Sequence, residues 1–212
     1  MSNIAPQDEK PRRRRLPAAQ RRETLIAAAS EVFAQRGYER TALDQVAERA
    51  GVTKVIVYRH FGSKKDLYLE LLAIHRDQLL DMLARGMRGE GPLAERVPAV
   101  SDAWFSYVET HTFAWKMLFQ DTTGDPDIRA FHAGMRDTAR AAIVALLTGE
   151  RSLRLARDMQ QPVAELLRAA MTGLALWWLE HPDVPRATLV DAITQTTWHG
   201  LANANRPSRT RP

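Results

Sequence analysis

The sequence predicts an all-α protein. Apolar residues recur at three- and four-residue spacing along most of the chain, no strand-like alternation persists beyond a few residues, and prolines and short polar residues stand where helices would begin. With 212 residues, 45% hydrophobic and 26% charged, the composition is that of a globular protein. A chain of this size buries roughly 70% of its unfolded surface. There is no cysteine, so disulfides and thiolate metal sites are excluded. No apolar run approaches the ~20 residues that span a bilayer. The N-terminus MSNIAPQDEKPRRRRLP is charged without an apolar core, so no secretory signal is expected there. A cytoplasmic location, with no membrane partner, is the expectation.

Leu25, Ala29, Val32 and Phe33 fall on one face of a first helix, and Gly37 stands at its C-terminal end. Thr41-x-x-Asp44 reads as a weaker form of the capping box for a second helix, with Leu43, Val46 and Ala47 inward and Ala50-Gly51 as its end. Thr53 is placed to cap a short third helix ending near His60. Ser63-x-x-Asp66 opens a long fourth one with Leu67, Leu71 and Ile74 inward.

The third segment raises a conflict. Val55-Ile56-Val57 favours a strand on local propensity, because β-branched residues are mediocre helix formers. A helix resolves the pattern better. Val57, with Phe61 and the turn residue Val52, then faces inward, while Lys54, Val55, Tyr58 and Arg59 face outward or along the edge. A short helix with an apolar underside and a basic exposed face, held across another helix by a tight turn, is a helix-turn-helix. Charge agrees. Residues 1–75 hold 14 Lys and Arg against 9 Asp and Glu, a net of +5, whereas residues 76–212 hold 16 against 16. Seven cations and no anion lie between Lys10 and Arg22. Such localised charge suits a polyanion such as nucleic acid. For the arm alone, a solvated tail is the competing reading, and the Arg12–Arg15 run resembles a minor-groove arm.

Beyond residue 88 the periodicity stays helical. Pro92 starts a helix carrying Ala103, Trp104, Tyr107 and Val108, with Pro98 as a kink. Thr112 to Gln120 is short and apolar. Asp125-Pro126, a cap with proline at the first position, opens a helix to about Leu147. Residues 149–160 read as a loop, Pro162 opens a helix to Glu180, and Pro185 opens the last, to about Asn203. Trp104, Tyr107, His111, Trp115, Phe119, Phe131, Met135 and Met171 supply aromatic and flexible apolar surface, which fits either plain core or the lining of an effector pocket. Val163, Leu166, Ala170, Leu174 and Trp177 stripe one of the last two helices, and Leu189, Ile193 and Trp198 the other. Gly173 lies on the first, and the small residues Ala192, Thr196 and Gly200 recur on the second, which invites close packing against a second copy.

Catalytic patterns are missing. The Gly86-x-x-Gly89-x-Gly91 run has no preceding strand, and neither Gly-x-Ser-x-Gly nor His-Glu-x-x-His occurs. His111 and His132 alone do not make a metal site. No cofactor is expected.

Arg21–Leu72 resembles the N-terminal domain of the TetR family of bacterial transcriptional regulators. The resemblance rests on Phe33…Gly37-Tyr38, Thr41, Val46-Ala47, Ala50-Gly51-Val52, Tyr58-x-His60-Phe61 and Ser63-Lys64-x-Asp66-Leu67. It implies that Thr53, Lys54, Val55, Tyr58, Arg59 and His60 face DNA, with Thr41 and Lys64 at phosphates. Val55 and Ile56 depart from the small residues common there. In the remaining chain the resemblance is architectural.

The expectation is therefore a basic, disordered arm over residues 1–18, a helix-turn-helix DNA-binding domain over 19–75, an effector-binding and dimerisation domain over 76–205, and a disordered tail over 206–212. Its partners would be double-stranded operator DNA, a second copy of itself and a small apolar or aromatic effector that releases it from the operator. The alternatives are a helical DNA-binding protein without effector and a small helical enzyme with a basic tail.

Overall fold

The computed structural model describes residues 17–88, 92–120, 124–150, 153, 155–198 and 200, and all regular structure among them is helical. Residues 1–16 of the expected arm, residues 89–91 and the tail after residue 200 lie outside the described residues.

Three helices build the N-terminal unit: α1 (Ala18–Arg40), α2 (Leu43–Arg49) and α3 (Lys54–His60). Gly37 interrupts α1 with φ 73° and ψ 171°, a conformation that suits a residue without a side chain. The Thr41 hydroxyl donates to the Gly37 carbonyl at 2.8 Å and so closes the kink. It does not serve as the cap expected of it. Instead Ala42 precedes α2, and its backbone N–H donates to the Gln45 side chain at 3.1 Å. Gly51, with φ 65°, makes the left-handed turn between α2 and α3.

Leu25, Ala29 and Phe33 of α1, Val46 of α2 and Val57 of α3 are buried together with Leu67, Tyr68 and Leu71 of α4 (Lys64–Gly86). Ser63 accepts from the Asp66 N–H at 3.0 Å, the N-terminal cap that its spacing predicts. This helix runs unbroken through residue 75, so the expected domain boundary falls inside it.

Helix α4 also packs on α5 (Leu93–Thr110) and α6 (Thr112–Phe119). At Gly86 a Cβ would stand 3.1 Å from the Ala99 carbonyl oxygen and 3.2 Å from the Val100 Cα, so a larger residue would push the two helices apart by a few tenths of an ångström. Next, α7 (Pro126–Gly149) opens as its sequence predicts, with the Asp125 side chain accepting from Asp127 N–H at 2.9 Å.

Two boundaries differ. The helix expected to open at Pro162 begins earlier, and α8 spans Arg157–Glu180. Asp158 in its first turn complements the helix dipole, and Pro162 is carried inside at the loss of one backbone bond. The last helix, α9 (Arg186–Ile193), gives way to a π-helical turn over Thr194–Trp198 instead of continuing. There the Thr196 and Thr197 hydroxyls donate to the Ala192 and Ile193 carbonyls at 2.6 and 2.5 Å, competing with the backbone ladder.

Buried apolar side chains form one continuous cluster from Leu25 in α1 to Ile193 in α9. A second, small cluster of Leu147, Val163 and Ala164 joins α7 and α8 away from it.

Candidate nucleic-acid interface

A seven-residue helix cannot stand alone. What holds α3 is Val57, 0% exposed, and Phe61 just beyond its end, with Ile56 partly buried beside them. This anchoring turns the opposite face outward. Val55 is 66% exposed and Tyr58 46%, and Thr53, Lys54 and Arg59 are exposed with them. His60 is half-buried. Six of the eight expected DNA-facing residues thus share one short element and its edge.

Their electrostatics are unequal. Lys54 pairs with Asp44 of α2 at 2.7 Å, and its ammonium lies 5.7 Å from the centre of the Tyr58 ring. The hydrogen bond that Lys54 donates to Asp44 holds the Lys54 pKa above its ordinary value. Arg59 makes no ion pair or hydrogen bond among the described residues and is a free cation.

The two expected phosphate contacts are placed differently. Thr41 is 3% exposed and its only hydroxyl proton is committed to Gly37, which does not fit a hydroxyl contact to phosphate. Lys64 donates to the Tyr38 and Glu39 carbonyls at 2.9 and 3.3 Å and lies 4.4 Å from the Tyr38 ring centre. It thereby satisfies the C-terminal end of α1, which accounts for a cation at the start of α4 without DNA. Its neighbour Lys65 pairs with Asp127 and, at 3.8 Å, with Asp125, tying the start of α4 to the start of α7. Sequence reasoning missed this clasp, which joins residues 62 apart.

Of the expected effector residues, Trp104, Trp115 and Phe119 pack together. Trp104 and Phe119 rings lie 5.1 Å apart edge-on, and Trp115 lies 5.1 Å from Phe119. Trp115 and Tyr107 are fully buried; Phe131, Met135 and Met171 are partly buried against the same core. Tyr107 donates to the His75 carbonyl at 3.0 Å, and its burial pushes its pKa up. The indole N–H groups of Trp104 and Trp115 are buried and meet no acceptor among the described residues. His111 is an exception: it is exposed and stacks on Tyr107 from outside at 4.7 Å. His132 is buried, its Nδ1 3.0 Å from the Leu118 carbonyl oxygen. No group of ligating residues suited to a metal occurs among the described residues.

The expected dimer stripes divide. On α8, Leu166 (66%), Gly173 and Trp177 (43%) are exposed along one face, with Ala170 and Leu174 partly buried beside them. On α9, Leu189 and Ile193 are buried within the chain, so a partner cannot reach them. Ala192 near the end of α9, and Thr196 and Gly200 beyond it, are exposed. Among the described residues no helix is long and apolar enough to cross a membrane.

Comparison with known proteins agrees with this geometry. Residues 25–71 match the family model of bacterial regulatory proteins, tetR family. Residues 93–200 match that of the tetracyclin repressor-like C-terminal domain. The HTH-type transcriptional activator FasR of Mycolicibacterium smegmatis is 31% identical over 191 residues, covering 89% of this chain and 86% of FasR. The HTH-type transcriptional repressor BepR of Brucella suis is 26% identical over 177 residues, covering 79% and 85%. A TetR-like transcriptional regulator from Rhodococcus sp. RHA1 has the same fold, with a TM-score of 0.76 at 22% identity over 89% of this chain and 99% of that one. So does FadR from Bacillus subtilis, solved in complex with stearoyl-CoA, with a TM-score of 0.68 at 16% identity over 83% and 97%. Helix-turn-helix geometry, the two family matches and the FasR identity together show that this chain belongs to the TetR family of DNA-binding transcriptional regulators.

Proposed function

We propose that the chain acts as a cytoplasmic, homodimeric, one-component repressor without catalytic activity. In this reading α3 of each protomer enters the major groove of one operator half-site, and an apolar or aromatic ligand held by the Trp104, Trp115 and Phe119 region releases the DNA. The observation that carries the reading is the course of α4. Its first turns belong to the core that holds α3, the carbonyl of His75 further along accepts from Tyr107 of α5, and Lys65 clasps it to α7. A ligand that repositions α7 or α5 therefore acts on the seat of α3 through one rigid element.

The ligand's chemistry follows from two buried indole N–H groups. An unsatisfied buried donor costs about 1–3 kcal/mol. A largely apolar molecule carrying an acceptor, such as a carbonyl, would satisfy them. The stearoyl-CoA complex of the FadR fold relative makes long-chain acyl thioesters a reasonable first probe.

Ligand binding shifts DNA affinity only through differential affinity for the two forms. A hundredfold release needs about 2.7 kcal/mol of coupling, within the usual range. The test combines thermal-shift screening of apolar, aromatic and acyl-CoA compounds with operator titrations. A releasing ligand must itself bind more weakly, by the same factor, when operator is present. Equal ligand affinity with and without operator would refute release. A second reading, ligand-dependent activation, is favoured by the name of the 31% identical relative. Deleting the gene separates the two, since target transcription rises for a repressor and falls for an activator.

A further inference from the structure

Val55 is an aliphatic residue of α3 whose exposure the fold does not explain. It is β-branched, which disfavours a helix, and 66% exposed, so burial gives little in return. Its neighbours differ: Val57 is fully buried and Ile56 packs against the core. The surroundings of Val55 are cationic, with Lys54 beside it and Arg59 one helical turn on. A polyanion matches that rim, but an isopropyl group offers phosphate nothing.

In the major groove, bases present hydrogen-bonding edges and one apolar group, the thymine 5-methyl. A valine pressed on the other edges would desolvate donors and acceptors without bonding them. Against a thymine methyl it buries apolar surface at no such cost. Arg59, with both faces of its guanidinium free of carboxylates, suits the O6 and N7 of guanine. Side chains four apart on a helix lie about 6 Å from each other, and stacked bases are about 3.4 Å apart. The two contacts therefore fall one or two base steps from each other.

We propose that each operator half-site carries a thymine whose 5-methyl packs on Val55, with a guanine held by Arg59 one or two base pairs away. This deepens the DNA-binding reading and rests on it.

The experiment starts with selection of bound duplexes from a random pool by the full chain. Each thymine of the selected site is then replaced, one at a time, by deoxyuridine, which removes only the methyl. Wild type and Val55→Ala are titrated against every duplex. One thymine per half-site should be sensitive, losing about fourfold in wild-type affinity, the worth of one buried methyl. Val55→Ala should bind the thymine duplex more weakly and be indifferent to its replacement there. Alanine is the better helix former at this exposed position, so an unchanged melting temperature confirms that the fold is intact. A wild type indifferent to deoxyuridine everywhere overturns the thymine contact while leaving DNA binding standing. Equal sensitivity in Val55→Ala assigns the methyl to another side chain and overturns it too. Failure to recover any preferred sequence overturns the underlying reading along with it.

Discussion

Two helices, α3 and α8, each present more than one large apolar side chain to solvent, and their rims differ. On α3, Val55 and Tyr58 stand among Lys54, Arg59 and His60. On α8, Leu166 and Trp177 stand beside Gly173 and Ala170, and the nearest charged pair, Arg168 with Glu165, is internally neutralised at 2.5 Å. Exposure alone does not name a partner; the rim does. A cationic rim around apolar groups suits a major groove, where phosphates flank methyls and base edges. An uncharged rim with small residues suits another protein surface, where charge would have to be desolvated.

The sharpest way to break this comparison is Gly173→Arg. A side chain there meets nothing within 4 Å in the single chain, so the protomer should fold unchanged. A cation at the centre of a protein interface should cost well over 2 kcal/mol. Sedimentation should show a monomer, with affinity for a two-half-site operator down by at least about thirtyfold. A dimer of ordinary stability would move the interface off α8.

Arg59→Ala comes next. It should cost about 1–3 kcal/mol in operator affinity and relax one base position, without changing assembly. Uniform loss across all sequences would make Arg59 a phosphate contact.

A smaller, opposite effect is expected at Asp44. This carboxylate neutralises Lys54 at the edge of the α3 face. Asp44→Asn should tighten binding to every duplex by about two- to fivefold and steepen the salt dependence. Weaker binding would mean that Asp44 positions Lys54 for DNA rather than restraining it.

The smallest effect lies between the two faces. His75 on α4 has its pKa lowered, mainly by burial. Below its unfolded value, near 6.5, the unfolded chain takes up the proton more readily, so stability declines as pH falls. Thermal melts from pH 7.5 to 5 should fall more steeply for wild type than for His75→Gln. Parallel profiles would exclude His75.

Much of the N-terminal unit was legible because single residues there serve local rules. Ser63 and Asp125 cap the helices they precede, and Val57 against Val55 separates inside from outside within three positions. Where a residue serves a distant partner, local rules mislead. Thr41 looks like a cap but closes the Gly37 kink, and Lys64, expected at a phosphate, also donates to the end of α1. Periodicity also cannot say whose core a stripe joins, which is why Leu189 and Ile193 read as interface and are core. Nothing in the sequence pairs Lys65 with Asp127. Among the expected aromatic residues, only packing shows that His111 stands exposed, stacked on Tyr107.

The small cluster of Leu147, Val163 and Ala164 has a consequence for how the molecule breathes. It holds the far ends of α7 and α8 together apart from the main core, with Ile143, Val144 and Leu167 packed around it. Few buried contacts mean a low free energy of local opening. Amide protons near residues 143–167 should therefore exchange with solvent through partial unfolding, well before those around Leu67 and Leu71, whose release requires the whole chain to unravel. The adjoining end of α8 carries the exposed Leu166, so a second copy bound there would slow that exchange, and protection would rise with protein concentration.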